Sequence, residues 1–384
     1  MLYLDHAATT PVRPQALQAA WPYLTEQFGN PSSVHEIGLQ AKHALDWARQ
    51  TCAEYLACLP EEIIFTSGGT EANNLAIKGI ALANPRGRHI ISSPVEHEAV
   101  LAGLNYLQVF HDFEVTMLPV SSDGSISTEE LRAALRSDTT LVTLMLANNE
   151  IGTVYPIAEF AAITAEFGVP FHTDAVQGAG WFDLDVSALG VQALSLSGHK
   201  FGAPKGSGLL YLSRRVPAEP VLHGGGQEGG LRSGTPNVAW AVAIAVALQQ
   251  LETCDAESAK VGAVTASFID QVLARFERAS LTGPSPDGSL ANGWRARHPA
   301  IASFTFSGIN GETLLLELES AGLTCSSGSA CSAGSTEPSH VLTALSIDYD
   351  VCRTAVRFSF GHDATSDQAT VALGALKTAL DRLG

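Results

Sequence analysis

Short runs rich in β-branched and apolar residues alternate with stretches of helical period along the first half of the chain, and this alternation constrains the fold more than any other feature. Residues 63–67, 89–93, 114–120, 141–147, 170–175, 193–197 and 208–212 read as strands. Residues 70–83, 97–109, 128–135 and 157–166 read as helices lying between many of them. Strands interleaved with helices predict an α/β fold with a mainly parallel, doubly wound sheet. The last two strands are close in sequence, so one of them is expected to run antiparallel.

The remainder has a different texture. Residues 237–278 form a long helical region, and 281–298, rich in Pro, Gly, Ser and Asn, reads as a surface loop of a second domain. A strand (301–306), a helix (312–321), a Ser/Gly/Cys loop, a short helix near His340, a strand (355–360) and a final helix follow. This predicts a smaller α+β unit, and 384 residues suffice for two domains. The expected division is a large domain over residues 15–255 and a small one built from 1–14 and 256–384.

Composition narrows the function classes. A net charge of −17 with no basic cluster argues against a nucleic-acid groove or an anionic membrane surface. The longest apolar run, 238–248, is shorter than the roughly 20 residues a membrane span requires, and is expected to be a buried helix. The N-terminus, Met1-Leu2-Tyr3-Leu4-Asp5-His6, lacks the basic region and cleavage site of a signal peptide. Six cysteines, at 52, 58, 254, 325, 331 and 352, show no paired metal-binding spacing, so no intrinsic metal is expected and reduced thiols in the cytoplasm are.

Several segments at the ends of predicted strands carry polar chemistry. Lys200, in Ser195-Leu196-Ser197-Gly198-His199-Lys200-Phe201-Gly202, follows an apolar strand and precedes a Gly-rich loop. A partly desolvated lysine in such a place suits Schiff-base chemistry, although an isolated lysine is more often a surface residue. Thr66-Ser67-Gly68-Gly69-Thr70-Glu71 joins a strand to a helix, where backbone N–H groups favour an anion; an ordinary capped turn has the same composition. Asp174 ends an apolar strand and calls for a cationic partner such as a protonated pyridine nitrogen, or else caps the next turn. His97 opens a helix, and Asn149 follows a strand at the edge where α/β sheets bind ligands.

In this order, these segments resemble pyridoxal-phosphate enzymes of fold type I, in the class V aminotransferase group. The segment Ser326-Ser327-Gly328-Ser329-Ala330-Cys331-Ser332-Ala333-Gly334-Ser335, followed by Glu337-Pro338-Ser339-His340, resembles the active-site loop of NifS/IscS-type cysteine desulfurases. The resemblance runs from Tyr3-Leu4-Asp5-His6-Ala7-Ala8-Thr9-Thr10-Pro11 through Gly224-Gly225-Gly226-Gln227-Glu228 and Arg232-Ser233-Gly234-Thr235 to Val356-Arg357-Phe358-Ser359.

The resemblance implies a homodimeric, cytoplasmic enzyme that removes sulfur from L-cysteine, leaving L-alanine and a persulfide for a sulfur-acceptor protein such as an iron–sulfur scaffold. Lys200 would carry pyridoxal 5'-phosphate. Gly69, Thr70, Ser197 and His199 would hold its phosphate, with Thr235 of the neighbouring subunit. Asp174 would pair with the ring nitrogen, Gln177 with the ring oxygen, and His97 would stack on the ring and serve in proton transfer. Asn149 and Arg357 would bind the substrate, the guanidinium clamping its carboxylate. Cys331 would be the nucleophile, on a loop whose Ser and Gly content disfavours a fixed helix or strand, and would transiently ligate a nascent cluster. The other five cysteines are read as structural, with Cys52 and Cys58 on a helix, and Lys205 as a structural neighbour of Lys200. A selenocysteine lyase or another class V aminotransferase is the alternative, and a non-enzymatic sulfur-pathway scaffold is a further one. Gly229 departs from the family pattern, in which an arginine is common at that place.

Overall fold

The computed structural model describes residues 1–83, 86–251, 254–327 and 338–384. The strands, in chain order, are β1 (Leu2–Tyr3), β2 (Ile63–Thr66), β3 (His89–Ser92), β4 (Glu114–Met117), β5 (Thr139–Thr143), β6 (Phe171–Asp174), β7 (Ala193–Ser197), β8 (Gly208–Leu212), β9 (Ala279–Leu281), β10 (Ile301–Phe306), β11 (Leu323–Thr324) and β12 (Ala355–Ser359). Seven of them form one sheet in the order β2-β8-β7-β6-β5-β3-β4. The pairs from β4 through to β7 are parallel. Strand β8 inserts antiparallel between β7 and β2, as the short link before it requires.

Adjacent residues in these strands point to opposite faces, and both faces are buried. Ile64, Ile90, Leu141 and Leu210 pack in one apolar cluster with Leu75, Ile80 and Leu104. Their neighbours Ile63, Ile91, Val142 and Leu209 belong to the larger cluster on the other side. The helices of this region are α1 (Pro14–Thr25), α2 (Glu36–Tyr55), α3 (Gly69–Ala83), α4 (Glu98–His111), α5 (Thr128–Ala134), α6 (Ile157–Glu166), α7 (Val186–Leu189) and α8 (Val238–Gln249), whereas α9 (Cys254–Arg275) packs against β9 and β10. Helix α8 is apolar on all sides, with nine of its 12 residues buried, and it packs against α1 and α2. No helix among the described residues is long and apolar enough to cross a membrane.

The C-terminal part holds α10 (Gly311–Ser320), α11 (His340–Ala344), α12 (Tyr349–Cys352) and α13 (Ser366–Leu383) around an antiparallel sheet of order β12-β10-β9. Strand β1 pairs with β11, so the N-terminus belongs spatially to this part of the chain.

The alternation of elements agrees with the sequence reading, and the departures have local causes. The expected strand 141–147 ends at Thr143, although the Leu144 and Leu146 N–H groups still bond to the His172 and Asp174 carbonyls beyond it. The helical region 237–278 divides into α8 and α9. Cys58 does not lie on a helix: α2 stops at Tyr55, and Ala57 adopts a φ of 53° that ends the helical path.

Candidate active site

Parallel α/β sheets place the residues after their strands along one edge, and here that edge is a cavity of about 570 Å³. The segment after β2 contributes Gly69 and Thr70, that after β3 His97, that after β5 Asn149, the end of β6 Asp174 and Gln177, and the end of β7 Ser197, His199 and Lys200. Arg357 enters from β12, and the N-terminal residues Ala7, Ala8 and Thr9 complete the wall.

The N-terminal segment crosses close to the lysine. Lys200 Nζ donates to the carbonyls of Ala7 and Ala8, the latter at 2.9 Å. Gln177 Nε2 donates to the same Ala7 carbonyl at 3.0 Å. His199 Nδ1 lies 3.2 Å from the Thr9 hydroxyl, and burial followed by the charges of Lys200 and Lys205 lowers its pKa to about 4. The imidazole is therefore neutral at pH 7. Lys205, expected to be merely structural, lines the same cavity from an exposed position.

Asp174 is buried at the far wall. Its carboxylate accepts from Asn73 Nδ2 at 2.6 Å and from the Val176 N–H at 3.0 Å. Both donors are neutral, so neither compensates the carboxylate's charge. On the opposite side Arg357, 1% exposed, is held in a fixed plane: one nitrogen pairs with Asp5 at 2.7 Å and another donates to the Asn149 carbonyl at 2.8 Å. His97 caps α4, its Nδ1 accepting from the Ala99 N–H at 3.1 Å, which leaves the proton of the neutral ring on Nε2.

The N-terminus of α3 opens into the cavity through Ser67, Gly68, Gly69 and Thr70. The approach is close: a Cβ on Gly69 would come within 2.8 Å of Val176 Cγ2 and 3.3 Å of Ser197 Cβ. First-turn N–H groups have no partner inside the helix, and they favour an anion.

The Lys200 amine, the buried Asp174 carboxylate and an anion-binding helix end thus face a common cavity. The match to known proteins accounts for that combination. The family model for class-V aminotransferases matches residues 2–371. The chain belongs to the class-V aminotransferase family. An IscS-like cysteine desulfurase of Mycobacterium tuberculosis is 43% identical over all of this chain and 97% of its own length. A cysteine desulfurase IscS of Methanosarcina thermophila is 45% identical over 95% of this chain and 88% of its own. Among solved structures, a NifS-like protein superposes with a TM-score of 0.89 at 32% identity, covering 99% of both chains. SspA in complex with cysteine superposes with a TM-score of 0.79 at 35% identity, over 94% of this chain and 99% of its own.

The cofactor of this class-V enzyme is pyridoxal 5'-phosphate, and the cavity's donor set fits it: Lys200 for the aldehyde, Asp174 for a pyridinium nitrogen and the α3 terminus for the phosphate. Thr235 is exposed and lies outside this cavity. Cys331 lies outside the described residues.

Sequence reasoning missed four participants. Asn73 bonds to Asp174, Asp5 orients Arg357, and the Ala7 and Ala8 carbonyls receive Lys200. Asp5 and Ala7 sit in the N-terminal motif that carried the resemblance, but only the folded chain pairs them with residues 352 and 193 positions away.

Proposed function

We propose that this protein is a cysteine desulfurase, converting L-cysteine to L-alanine and loading the released sulfur onto Cys331. The carrying observation is the cavity that gathers Lys200, Asp174 and Arg357, combined with full-length similarity to proteins of that name. When bound, pyridoxal phosphate supplies an electron sink that lets the substrate's α-proton leave and weakens its C–S bond.

The chain's own residues divide the work. Gly69, Thr70, Ser197 and His199 would hold the phosphate, Asp174 would keep the ring nitrogen protonated, and Gln177 would meet the ring oxygen. The Arg357 guanidinium, braced by Asp5, receives the substrate carboxylate beside Asn149. Lys200 would take up the α-proton and return it, and His97, on the cavity wall, would pack over the ring and serve in proton transfer through its Nε2. The Cys331 thiolate attacks the substrate sulfur: an S–S bond forms, the C–S bond breaks, its electron pair passes to carbon, and protonation there completes L-alanine. A persulfide remains on Cys331.

The other described thiols are poor nucleophiles. Cys325 lies within reach of the charges of Asp5 and Arg357, and burial, then the charge of Asp5, pushes its pKa up to about 12. Burial pushes that of Cys58 to about 12 and raises that of Cys52 further. Cys52, Cys58, Cys325 and Cys352 are free, which supports a reducing, cytoplasmic setting.

A homodimer is part of this reading. Leu17, Trp21 and Leu24 recur at helical spacing on the outer face of α1, 45–60% exposed, and Phe28 beyond it is 70% exposed. The adjoining face buries Ala16 and Ala20. A stripe of this size on an acidic protein suits a second copy of the chain, with Thr235 reaching the partner's phosphate site. The persulfide then passes to an acceptor protein such as an iron–sulfur scaffold. The two-domain division at residues 15–255 accompanies this reading, supported by the separate sheets and the β1–β11 pairing.

The test is Cys331→Ala in the cofactor-loaded enzyme. Sulfur mapping by mass spectrometry should show no persulfide, and alanine release should stop, while the absorbance of the Lys200-linked cofactor is retained. Unchanged turnover refutes the mechanism.

A further inference from the structure

The described residues on either side of the Cys331 segment are fastened to one turn. Before it, Ser326 and Arg357 exchange backbone hydrogen bonds of 3.2 and 2.6 Å, and the Arg357 guanidinium donates to the Asn149 carbonyl. After it, the Ser339 hydroxyl donates to Glu150 Oε2 at 2.5 Å, both residues being buried. His340 Nε2 donates to the Glu96 carbonyl at 2.9 Å. The two attachments therefore stand on consecutive residues, Asn149 and Glu150.

That turn is rigid. The Glu150 and Ile151 N–H groups donate to Asn148 Oδ1 at 2.8 and 3.0 Å, and Asn148 Nδ2 donates to the Val95 carbonyl at 2.9 Å. Glu96 Oε1 receives the Ser93 hydroxyl and the Met145 N–H. The strand ends that carry His97 and Asn149 are thereby stitched into one platform on the cavity wall. A buried carboxylate is costly unless a donor compensates it, and Ser339 supplies that donor to Glu150.

We propose that Ser339, through its bond to Glu150, is a positioning residue for the sulfur-transfer step, fixing where the chain carrying Cys331 rejoins the cavity wall. The proposal rests on the desulfurase reading. It separates two halves of the reaction. Lys200 and Arg357 can act on the substrate's α-carbon without the cysteine, whereas attack on sulfur needs Cys331 delivered to the same cavity. Losing one hydrogen bond to a charged acceptor is expected to change the fraction of correctly placed chains by about tenfold.

The experiment compares Ser339→Ala, Ser339→Thr and Glu150→Gln with the parent enzyme, all cofactor-loaded. Two rates are read: exchange of the L-alanine α-proton with deuterated solvent, which does not use Cys331, and single-turnover appearance of sulfur on Cys331 from L-cysteine. For Ser339→Ala the second should fall about tenfold while the first and the cofactor absorbance stay unchanged. Ser339→Thr, which keeps the hydroxyl, should restore transfer. Glu150→Gln, which keeps the acceptor's shape without its charge, should show the same split at smaller amplitude, and the double variant should be no slower than Ser339→Ala alone. Equal loss of both rates, as a merely structural bond would produce, overturns the proposal, as does sulfur loading at the parent rate. Sulfur mapped in the parent to a cysteine other than 331 refutes the function itself, whereas normal loading in Ser339→Ala refutes only the anchor.

Discussion

Glu96→Gln should reverse part of the protein's dependence of stability on pH. Glu96 is 1% exposed, and burial, opposed by its bonds from Met145 and Ser93, raises its carboxyl from 4.5 to about 8. Its Oε2 is buried with no partner. Because the folded pKa lies above the unfolded one, the stabilisation is fully present below pH 4.5 and is lost as pH rises through about 8. Integrating that linkage, the folded state loses about 3 kcal/mol from this group between pH 5 and pH 8. Glutamine cannot titrate, so the variant carries a constant cost from its buried amide in place of that slope. The histidines act in the opposite sense. Burial depresses His172 and His298 to about 3, and His199 and His362 to about 4. Their contribution is present above pH 6.5 and is lost as pH falls towards those values. They are common to both proteins and cancel in the difference. Urea unfolding of each protein at pH 5, 6, 7 and 8 yields that difference, which should shift in favour of the variant by about 3 kcal/mol across the range. A difference that is flat across these values would refute a neutral, buried Glu96.

Two further perturbations probe the cofactor site and the assembly. Gly69→Ala should weaken pyridoxal phosphate by about 1–3 kcal/mol, because its Cβ would sit 2.8 Å from a branched, stiff Val176; an absorbance titration of the cofactor-free protein measures this, and parent-like affinity would contradict the close approach. Trp21→Asp should loosen self-association by about 2 kcal/mol or more, as seen by sedimentation equilibrium, and weaken the cofactor in parallel if Thr235 serves the partner's site. A dimer of unchanged affinity would move the interface elsewhere.

Much of the site was legible because of how a parallel α/β sheet is built. Each strand ends at the same edge, so Thr70, Asp174, Ser197 and Lys200 reveal themselves by following an apolar run. Helix α8 announced itself by its unbroken apolar run, and β8 by the short link before it. Other features carried no such mark. Helix α1 went unread and α2 was read only around Cys52 and Cys58: their buried faces rely largely on alanine, as at Ala16, Ala20, Ala41 and Ala48, which gives a weak apolar period. Strands β1 and β11, two residues each, become strands only by pairing with each other. Cys58 appeared to continue α2 because its position fits the helical period, and only backbone geometry shows the exit at Ala57.

The sequence alone determined the layered fold and marked Lys200 and Cys331 as the candidate cofactor lysine and candidate nucleophile, because local order along the chain encodes strand ends and because their motifs resemble those of the family. The tertiary structure decided the company those residues keep. It set Asp5 against Arg357, the Ala7 carbonyl against Lys200 and Gln177, Asn73 against Asp174, and Ser339 against Glu150. Each of these contacts joins residues more than 100 positions apart. Hydrogen bonding between such distant groups leaves no periodicity in the chain, since only folding brings the partners within reach: α3 packed on the large sheet sets Asn73 beside Asp174, and the return of the N-terminus to β11 brings Asp5 and Ala7 to the site.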